Sequence, residues 1–272
     1  MGEIYSVVNK DFVLKNEASI LISDLSIQRG YGIFDFFRTI NNEPIFLEDH
    51  LDRFFYSASQ MQLDVYLNRT EIKQLIDQLI EKNNIRDSGM RITLTGGYSE
   101  DGYSLAKPNL LITQSAFTLN TEIFNKGIKL IMFNHQRQLP SVKTIDYLMA
   151  ICLQPFIKAQ NADDVLYYNE NQLTECPRSN FFLVTQQGEV LTPSKNILKG
   201  ITRKKILGFS DLNVRETSLL LEDITTAKEA FITSTTKNVL PVFEIDGIAI
   251  GDGKPGSITS EIYHRICKMK ER

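Results

Sequence analysis

Apolar spacing changes character several times along the chain. Short apolar runs at 12–14 and 19–22 predict strands ahead of a glycine-bearing segment, Arg29-Gly30-Tyr31-Gly32. Residues 33–40 are aromatic and β-branched, and Asn41-Asn42 supplies a hairpin turn before a further strand at 44–47. From His50 the period becomes helical, with Leu51, Phe54, Phe55, Ala58 and Met61 on one face. Thr70 then stands where it would cap a second helix carrying Ile72, Leu75, Ile76, Leu79 and Ile80. Segments 90–95 and 110–115 return to strand patterning, with Gly96-Gly97 and Asp101-Gly102 in the loop between them.

The polar stretch 118–126 follows a complete α/β set and marks the expected boundary. It predicts a smaller N-terminal α/β domain at 1–118, a linker at 119–126 and a larger C-terminal domain at 127–272. The second part opens with a strand at 128–133 and continues as a helix after Lys143. Hairpins follow around Asn169-Glu170-Asn171 and Gln186-Gln187-Gly188. Helices are predicted at 201–207, at about 223–228 and from about Ser257, with a buried strand at 231–233. The expected fold class is mixed α/β with α+β character, in two domains with much antiparallel sheet.

Composition narrows the function without naming it. The 272 residues are 42% hydrophobic and 23% charged, the range of ordinary globular proteins. A net charge of −3, from 30 Lys plus Arg against 33 Asp plus Glu, argues against nucleic acid or an anionic membrane as partner. The cluster Arg203-Lys204-Lys205 reads as a solvated helix face. Cys152, Cys176 and Cys267 are widely spaced with no C-x-x-C pair, so neither a disulfide framework nor a zinc site is expected. No other metal-ligand pattern stands out, and none is expected. The start lacks a basic-then-apolar leader pattern, and no apolar run approaches ~18 residues, so the expectation is a cytoplasmic protein without a membrane span. His50 reads as packing or capping, and His135 and His264 as exposed or satisfied.

Candidate chemistry begins with Lys143, in the run Leu-Pro-Ser-Val-Lys-Thr-Ile-Asp-Tyr-Leu from Leu139 to Leu148. At a junction between strand and helix, among small and apolar neighbours, a lysine is partly desolvated. That lowers its pKa and makes its amine a nucleophile toward an aldehyde; the competing reading is a surface lysine. Glu175 ends one strand of a hairpin and Asn180 opens the next, across a turn containing Ser179. A carboxylate there can keep a pyridine nitrogen protonated, or can be a solvated turn residue. Gly200-Ile201-Thr202 at a predicted helix start offers free amides and a hydroxyl to a phosphate, or is plain capping. Thr233-Ser234-Thr235-Thr236 follows a buried strand and offers more of both, or is a plain turn. Arg53, expected to face outward near a helix start, can clamp the same anion.

The order of these signals is more specific than any one of them. An arginine, then the lysine, then the Glu with its Ser-Asn, then Gly-Ile-Thr-Arg, then the Ser-Thr-Thr turn resembles the class IV aminotransferases, the fold-type IV pyridoxal-phosphate enzymes. The resemblance runs nearly end to end, from Arg29-Gly30 to Asp252-Gly253, and covers branched-chain aminotransferases, D-amino acid aminotransferases and 4-amino-4-deoxychorismate lyases. It implies two domains with pyridoxal 5'-phosphate in the interdomain cleft. Lys143 then resembles the Schiff-base lysine, which also carries the substrate's proton, and Glu175 the partner of the ring nitrogen. Tyr147 resembles the tyrosine on the phenolic oxygen. Arg53, Ile201, Thr202, Ser234 and Thr235 look like the phosphate cradle, with Gly200, Ser179 and Asn180 beside it. Thr236 and Lys237 resemble the substrate-carboxylate contact, and Phe34 and Arg91 look like residues lining the substrate pocket, with a structural ion pair within its strand as the alternative for Arg91. A homodimer is implied as well, with 31–37 as one candidate for its interface.

One part of the pattern departs. D-amino acid aminotransferases trap the substrate carboxylate with an Arg-x-His pair in the loop after the 90–95 strand, together with a tyrosine. Here that loop reads Gly-Gly-Tyr-Ser-Glu-Asp-Gly-Tyr from Gly96 to Tyr103, and Phe34 stands at the tyrosine position. The implied function is therefore amino transfer between an amino acid and a 2-oxo acid, branched-chain-like ahead of D-amino acid. Asp101-Gly102-Tyr103 also resembles the lyase branch, which eliminates pyruvate. A non-catalytic protein on the same fold is the remote alternative.

Overall fold

The structure is a computed structural model that describes residues 3–270. It divides into two compact units, one of residues up to Thr118 together with Val142–Asp146, the other of Leu119–Ser141 with Tyr147 onward.

In the first unit the chain order is β1 (Tyr5–Val8), β2 (Asp11–Leu14), α1 (Leu25–Arg29), β3 (Gly32–Ile40), β4 (Glu43–Pro44), α2 (Leu47–Gln60), α3 (Arg69–Asn83), β5 (Ser88–Thr95) and β6 (Leu110–Ala116). The strands form one antiparallel sheet in the order β2-β1-β6-β5-β3-β4. The apolar faces of α2 (Leu51, Phe54, Ala58) and α3 (Ile72, Ile76, Leu79) share a core with Ile33, Phe37, Met90, Ile92 and Ile112 of the sheet. Helical and strand periodicities in the sequence thus meet at one interface.

Three local expectations change here. Segment 19–22 is not a strand: Asp24 caps α1 by accepting from the Ser26 amide, and Gly30 closes the helix in the left-handed region. The cap of α3 is not Thr70 but Asn68, whose side chain accepts from the Glu71 amide while Glu71 accepts from the Asn68 amide. Residues 45–47 are not strand, because α2 already begins at Leu47.

The second unit runs α4 (Ile123–Lys126), β7 (Ile128–Asn134), α5 (Leu148–Cys152), α6 (Gln154–Ala159), β8 (Asp164–Asn169), β9 (Gln172–Leu173), β10 (Glu175–Cys176), β11 (Ser179–Val184), β12 (Val190–Pro193), α7 (Ile201–Leu207), β13 (Val214–Thr217), a 3₁₀ turn (Leu221–Thr226), β14 (Glu229–Ser234), β15 (Asn238–Ile245), β16 (Ile248–Ala249) and α8 (Ser257–Lys270). Its sheet has the order β13-β12-β11-β14-β15-β7-β8-β9, with β10 on β11 and β16 on β15. The β12–β13, β15–β7 and β7–β8 pairs are parallel and the others antiparallel. Two apolar layers cover it: Leu166, Phe181, Ile232 and Leu240 in one, Phe182, Phe231, Ile262 and Ile266 in the other.

The predicted helix near 223–228 is a 3₁₀ turn that stops before Ala227. Segment 119–126 is not a free linker, since α4 buries Phe124, whose ring stacks on Tyr263 at 4.1 Å. Arg203 is not on a solvated face. It is buried, donating to the Pro193 carbonyl at 2.8 Å and to Glu216 at 2.6 Å. Among the described residues no helix is long and apolar enough to cross a membrane.

The segment around Lys143 belongs with the first unit rather than with 127–272. It lies along β3, where the Phe34 amide donates to the Lys143 carbonyl and the Ile145 amide to the Gly32 carbonyl, both at 3.0 Å. A Cβ at Gly32 would lie 2.8 Å from the Leu94 carbonyl oxygen and 3.1 Å from Ile145 Cδ1, so only glycine admits this approach. Gly32→Ala is accordingly expected to cost about 1–3 kcal/mol in urea unfolding and to loosen the Lys143 segment to proteolysis.

Candidate active site

The first unit places a carboxylate where the sequence offers only aromatic neighbours. Alternation along β3 puts Asp35 on the same face as Ile33 and Phe37, under α2, and it is fully buried. Arg53 answers it with two parallel bonds, Nε to Oδ2 and Nη2 to Oδ1, both 2.8 Å. His50, one helical turn earlier, lies with Nδ1 2.7 Å from Oδ1. Burial alone would raise the Asp35 pKa, but the charges and hydrogen bonds of Arg53 and His50 hold it well below the usual carboxylate range. The His50 pKa is lowered, by burial first and then by the Arg53 and Lys143 charges against the opposing pull of Asp35. An ionised carboxylate only accepts, so the neutral imidazole carries its proton on Nδ1 and donates it.

Arg53 therefore does not face outward as expected. Its Nε and Nη2 are committed to Asp35, which leaves Nη1 for an anion. One turn further along α2, the buried Ser57 hydroxyl accepts from the Lys143 amide at 3.2 Å. Lys143 is thus tied by its backbone to β3 and α2 together. Its Nζ lies 4.5 Å from the centre of the Phe34 ring, and the Arg91 guanidinium lies 4.1 Å from the same ring.

The second unit gathers a different set. Glu175 is buried, and its Oε1 accepts from Arg137 at 3.0 Å. Its Oε2 accepts from the Leu198 amide at 2.9 Å and from Asn180 Nδ2 at 3.3 Å. Glu175 is therefore not a solvated turn residue. Asn180 also donates to the Leu198 carbonyl at 2.7 Å, and a Cβ at Gly200 would sit 2.1 Å from its Oδ1. Gly200 precedes α7 and offers no side-chain cap to the amides that follow, while Ile201 and Thr202 are buried there. Ser234 Oγ accepts from the Lys237 amide at 3.1 Å and lies 3.3 Å from Thr236 Oγ1. Thr235 is half-buried beside them, and Tyr147 is half-buried just ahead of α5. Lys237 does not stand free to meet a substrate carboxylate, because its Nζ pairs with Asp164 at 3.0 Å.

Sequence reasoning missed Asp35, Ser57 and Arg137. A lone carboxylate inside the aromatic run Ile33–Phe37, with His50 and Arg53 at helical spacing, is a signal that could have found the first. Arg137 carries no such signal.

The amino-transferase class IV profile matches residues 32–245, well over half of the chain. A D-alanine aminotransferase of Staphylococcus haemolyticus is 28% identical over 273 residues, covering 97% of this chain and 97% of its own. The branched-chain amino acid aminotransferase of Escherichia coli superposes with a TM-score of 0.90 at 21% identity, over 98% of this chain and 94% of its own. A Legionella pneumophila protein, named only provisionally as a 4-amino-4-deoxychorismate lyase, does so with a TM-score of 0.85 at 26% identity, over 94% and 97%. The chain belongs to the class IV aminotransferase family and has its mixed α/β fold. The family's cofactor is pyridoxal phosphate.

The residues present fit that group. Thr233 Oγ1 is buried without a hydrogen-bond partner among the described residues, a costly state that a polar ligand relieves. Asn180 pairs in register with both Glu175 and Thr233, so these three side chains share one face of the sheet.

Asp35 makes a testable demand on stability. Arg53→Met leaves a buried carboxylate without its main cation and is expected to cost about 3–5 kcal/mol in urea unfolding, the double variant with Asp35→Asn losing less. Both lowered pKa values act in one direction. The stability from neutral His50 falls as pH drops below about 6.5, and that from Asp35 is present above about 3.9 and falls as pH drops from there. Asp35→Asn should flatten the acid limb of the stability–pH curve.

Proposed function

We propose that this protein is an aminotransferase that moves an amino group between an amino acid and a 2-oxo acid, with a branched-chain-like donor ahead of a D-amino acid. The observation that carries the reading is the attachment of the Lys143 backbone to β3 and α2, with its amine over the Phe34 ring. A nucleophile needs a fixed approach, and a solvated surface lysine has no need of one.

Bound, pyridoxal 5'-phosphate supplies an aldehyde carbon and an electron-withdrawing ring. Lys143 Nζ would hold the cofactor at its aldehyde carbon and would move the proton of the substrate's Cα. Glu175 would accept from the ring N–H, while Arg137, Asn180 and the Leu198 amide hold the carboxylate in place. Tyr147 would donate to the phenolic oxygen. The Ile201 amide and the Thr202, Ser234 and Thr235 hydroxyls would hold the phosphate, with Ser179 beside them and Arg53 Nη1 as a further donor. Phe34 and Arg91 line the substrate's path, and Thr236 meets its carboxylate.

Substrate preference rests on the loop after β5. Asp101 Oδ1 accepts from the Tyr103 and Ser104 amides at 2.8 and 2.7 Å and from Ser99 Oγ at 2.9 Å, so the loop is folded around a carboxylate and contains no Arg or His. That supports a donor other than one held through a cationic trap in this loop. The same Asp101-Gly102-Tyr103 favours a second reading, elimination of pyruvate from 4-amino-4-deoxychorismate. A homodimer belongs to the same proposal. Segment 31–37 is mostly interior to β3, so exposed Leu21, Ile22 and Ile27 are the better candidates for its interface.

A half-reaction separates the readings. With L-leucine or L-valine alone, the cofactor's absorbance should shift to its amine form and return on adding a 2-oxo acid. D-alanine should drive that shift at least tenfold more slowly, and faster conversion by D-alanine would reverse the preference. Pyruvate release from 4-amino-4-deoxychorismate without any 2-oxo acid would favour the lyase. Lys143→Ala should abolish the borohydride-reducible chromophore while leaving the circular dichroism spectrum unchanged.

A further inference from the structure

The turn between β14 and β15 carries Ser234, Thr235, Thr236 and Lys237, and Asn238 closes it with a φ of +57°. Asparagine tolerates that left-handed conformation, but so does glycine, so the side chain has to be explained by what it touches. Asn238 is buried, and its Oδ1 accepts from Lys270 Nζ at 2.5 Å while its Nδ2 donates to Cys267 Sγ at 3.6 Å. An ammonium only donates, so Lys270 sets which end of the amide faces it. Cys267 and Lys270 are one turn apart on α8, and the amide bridges them.

Lys270 is 5% exposed, a rare place for a lysine. An apolar residue would fill such a site at lower desolvation cost, and the amine's polar contacts there include the bond to Asn238. On the opposite flank of the turn Lys237 Nζ is held by Asp164, and the Lys237 amide by Ser234 Oγ. The turn is therefore anchored to β8 on one side and to α8 on the other.

We propose that Lys270 is a positioning residue for anion binding: through Asn238 it holds the Ser234–Lys237 turn in the shape that receives the cofactor's phosphate. This rests on the assignment of Ser234 and Thr235 to the phosphate. The turn's amides and hydroxyls bind an anion only while they converge, and a shift at Asn238 disperses them.

The readout is the ratio of affinities for pyridoxal 5'-phosphate and for pyridoxal, titrated into cofactor-free protein by fluorescence. That ratio isolates the phosphate's contribution, and a general loss of structure would weaken both ligands alike. In Lys270→Met the ratio should fall about five- to tenfold with pyridoxal affinity unchanged, and Lys270→Arg should restore most of it. An unchanged ratio, or equal weakening of both ligands, overturns the proposal. If Lys270→Met does not fold, Asn238→Gly keeps the backbone conformation and removes the tie; its ratio must fall likewise, and an unchanged one is equally fatal. Ser234→Ala with Thr235→Val is the separate control. An unchanged ratio there sinks the assignment of the turn to the phosphate, whereas a fall there without one in Lys270→Met removes Lys270 alone.

Discussion

The fully buried Asp35 carboxylate governs how the first unit is put together. A charge in that position has to be met by a cation with matching geometry, and Arg53 meets it with two bonds while His50 supplies a third. His50, Arg53 and Ser57 lie along one stripe of α2, so satisfying Asp35 sets the rotation of the helix against β3. Once that rotation is set, the Ser57 hydroxyl stands where the Lys143 amide can reach it. The order of dependence runs from a carboxylate to a helix to the backbone of Lys143.

The second unit uses the same pair of charges with the roles exchanged. Asp35 orients an arginine, whereas Arg137 orients a carboxylate. Glu175 has four acceptor directions and meets Arg137, Asn180 and the Leu198 amide. Those donors fix the plane of the carboxyl group. A carboxylate whose plane is fixed can select one direction for an incoming N–H, which a solvated glutamate on a turn cannot do. The crowding of Gly200 against Asn180 serves that end, because any larger residue would displace the amide that braces Glu175.

What the sequence could say about this depended on how local the cause was. The periodicities of 51–61 and 72–80 became α2 and α3 because one stripe of each meets a core, a property of neighbouring residues alone. Lys143, Glu175 and the Gly-Ile-Thr start of α7 are singled out by their order along the chain, a signal present in the sequence itself. The failures have a common origin. Arg203 resembles its lysine neighbours in composition, and only the distant Glu216 and Pro193 make it an interior residue. Lys237 needed Asp164, and Arg53 needed Asp35, before their direction was decided. Side chains that can either snorkel or pair are settled by partners that composition does not reveal.

The same distinction bears on substrate choice. Identity of 28% over nearly the whole chain to a D-alanine aminotransferase weighs every position alike, whatever its role. Discrimination between substrates is a difference in binding at a few side chains. The loop after β5 is where those few diverge from the D-amino acid pattern: in place of an arginine and a histidine it carries Asp101, which is bound into its own turn, and the exposed Tyr103. Besides Lys143, the cation near Phe34 is Arg91, on the strand rather than in the loop. A carboxylate attracted to Arg91 would approach along the sheet face that also carries Phe34 and the Lys143 amine, a geometry that the fold supplies without help from the loop. Overall similarity therefore argues for the family and its cofactor, and the short stretch that departs from it argues about the substrate.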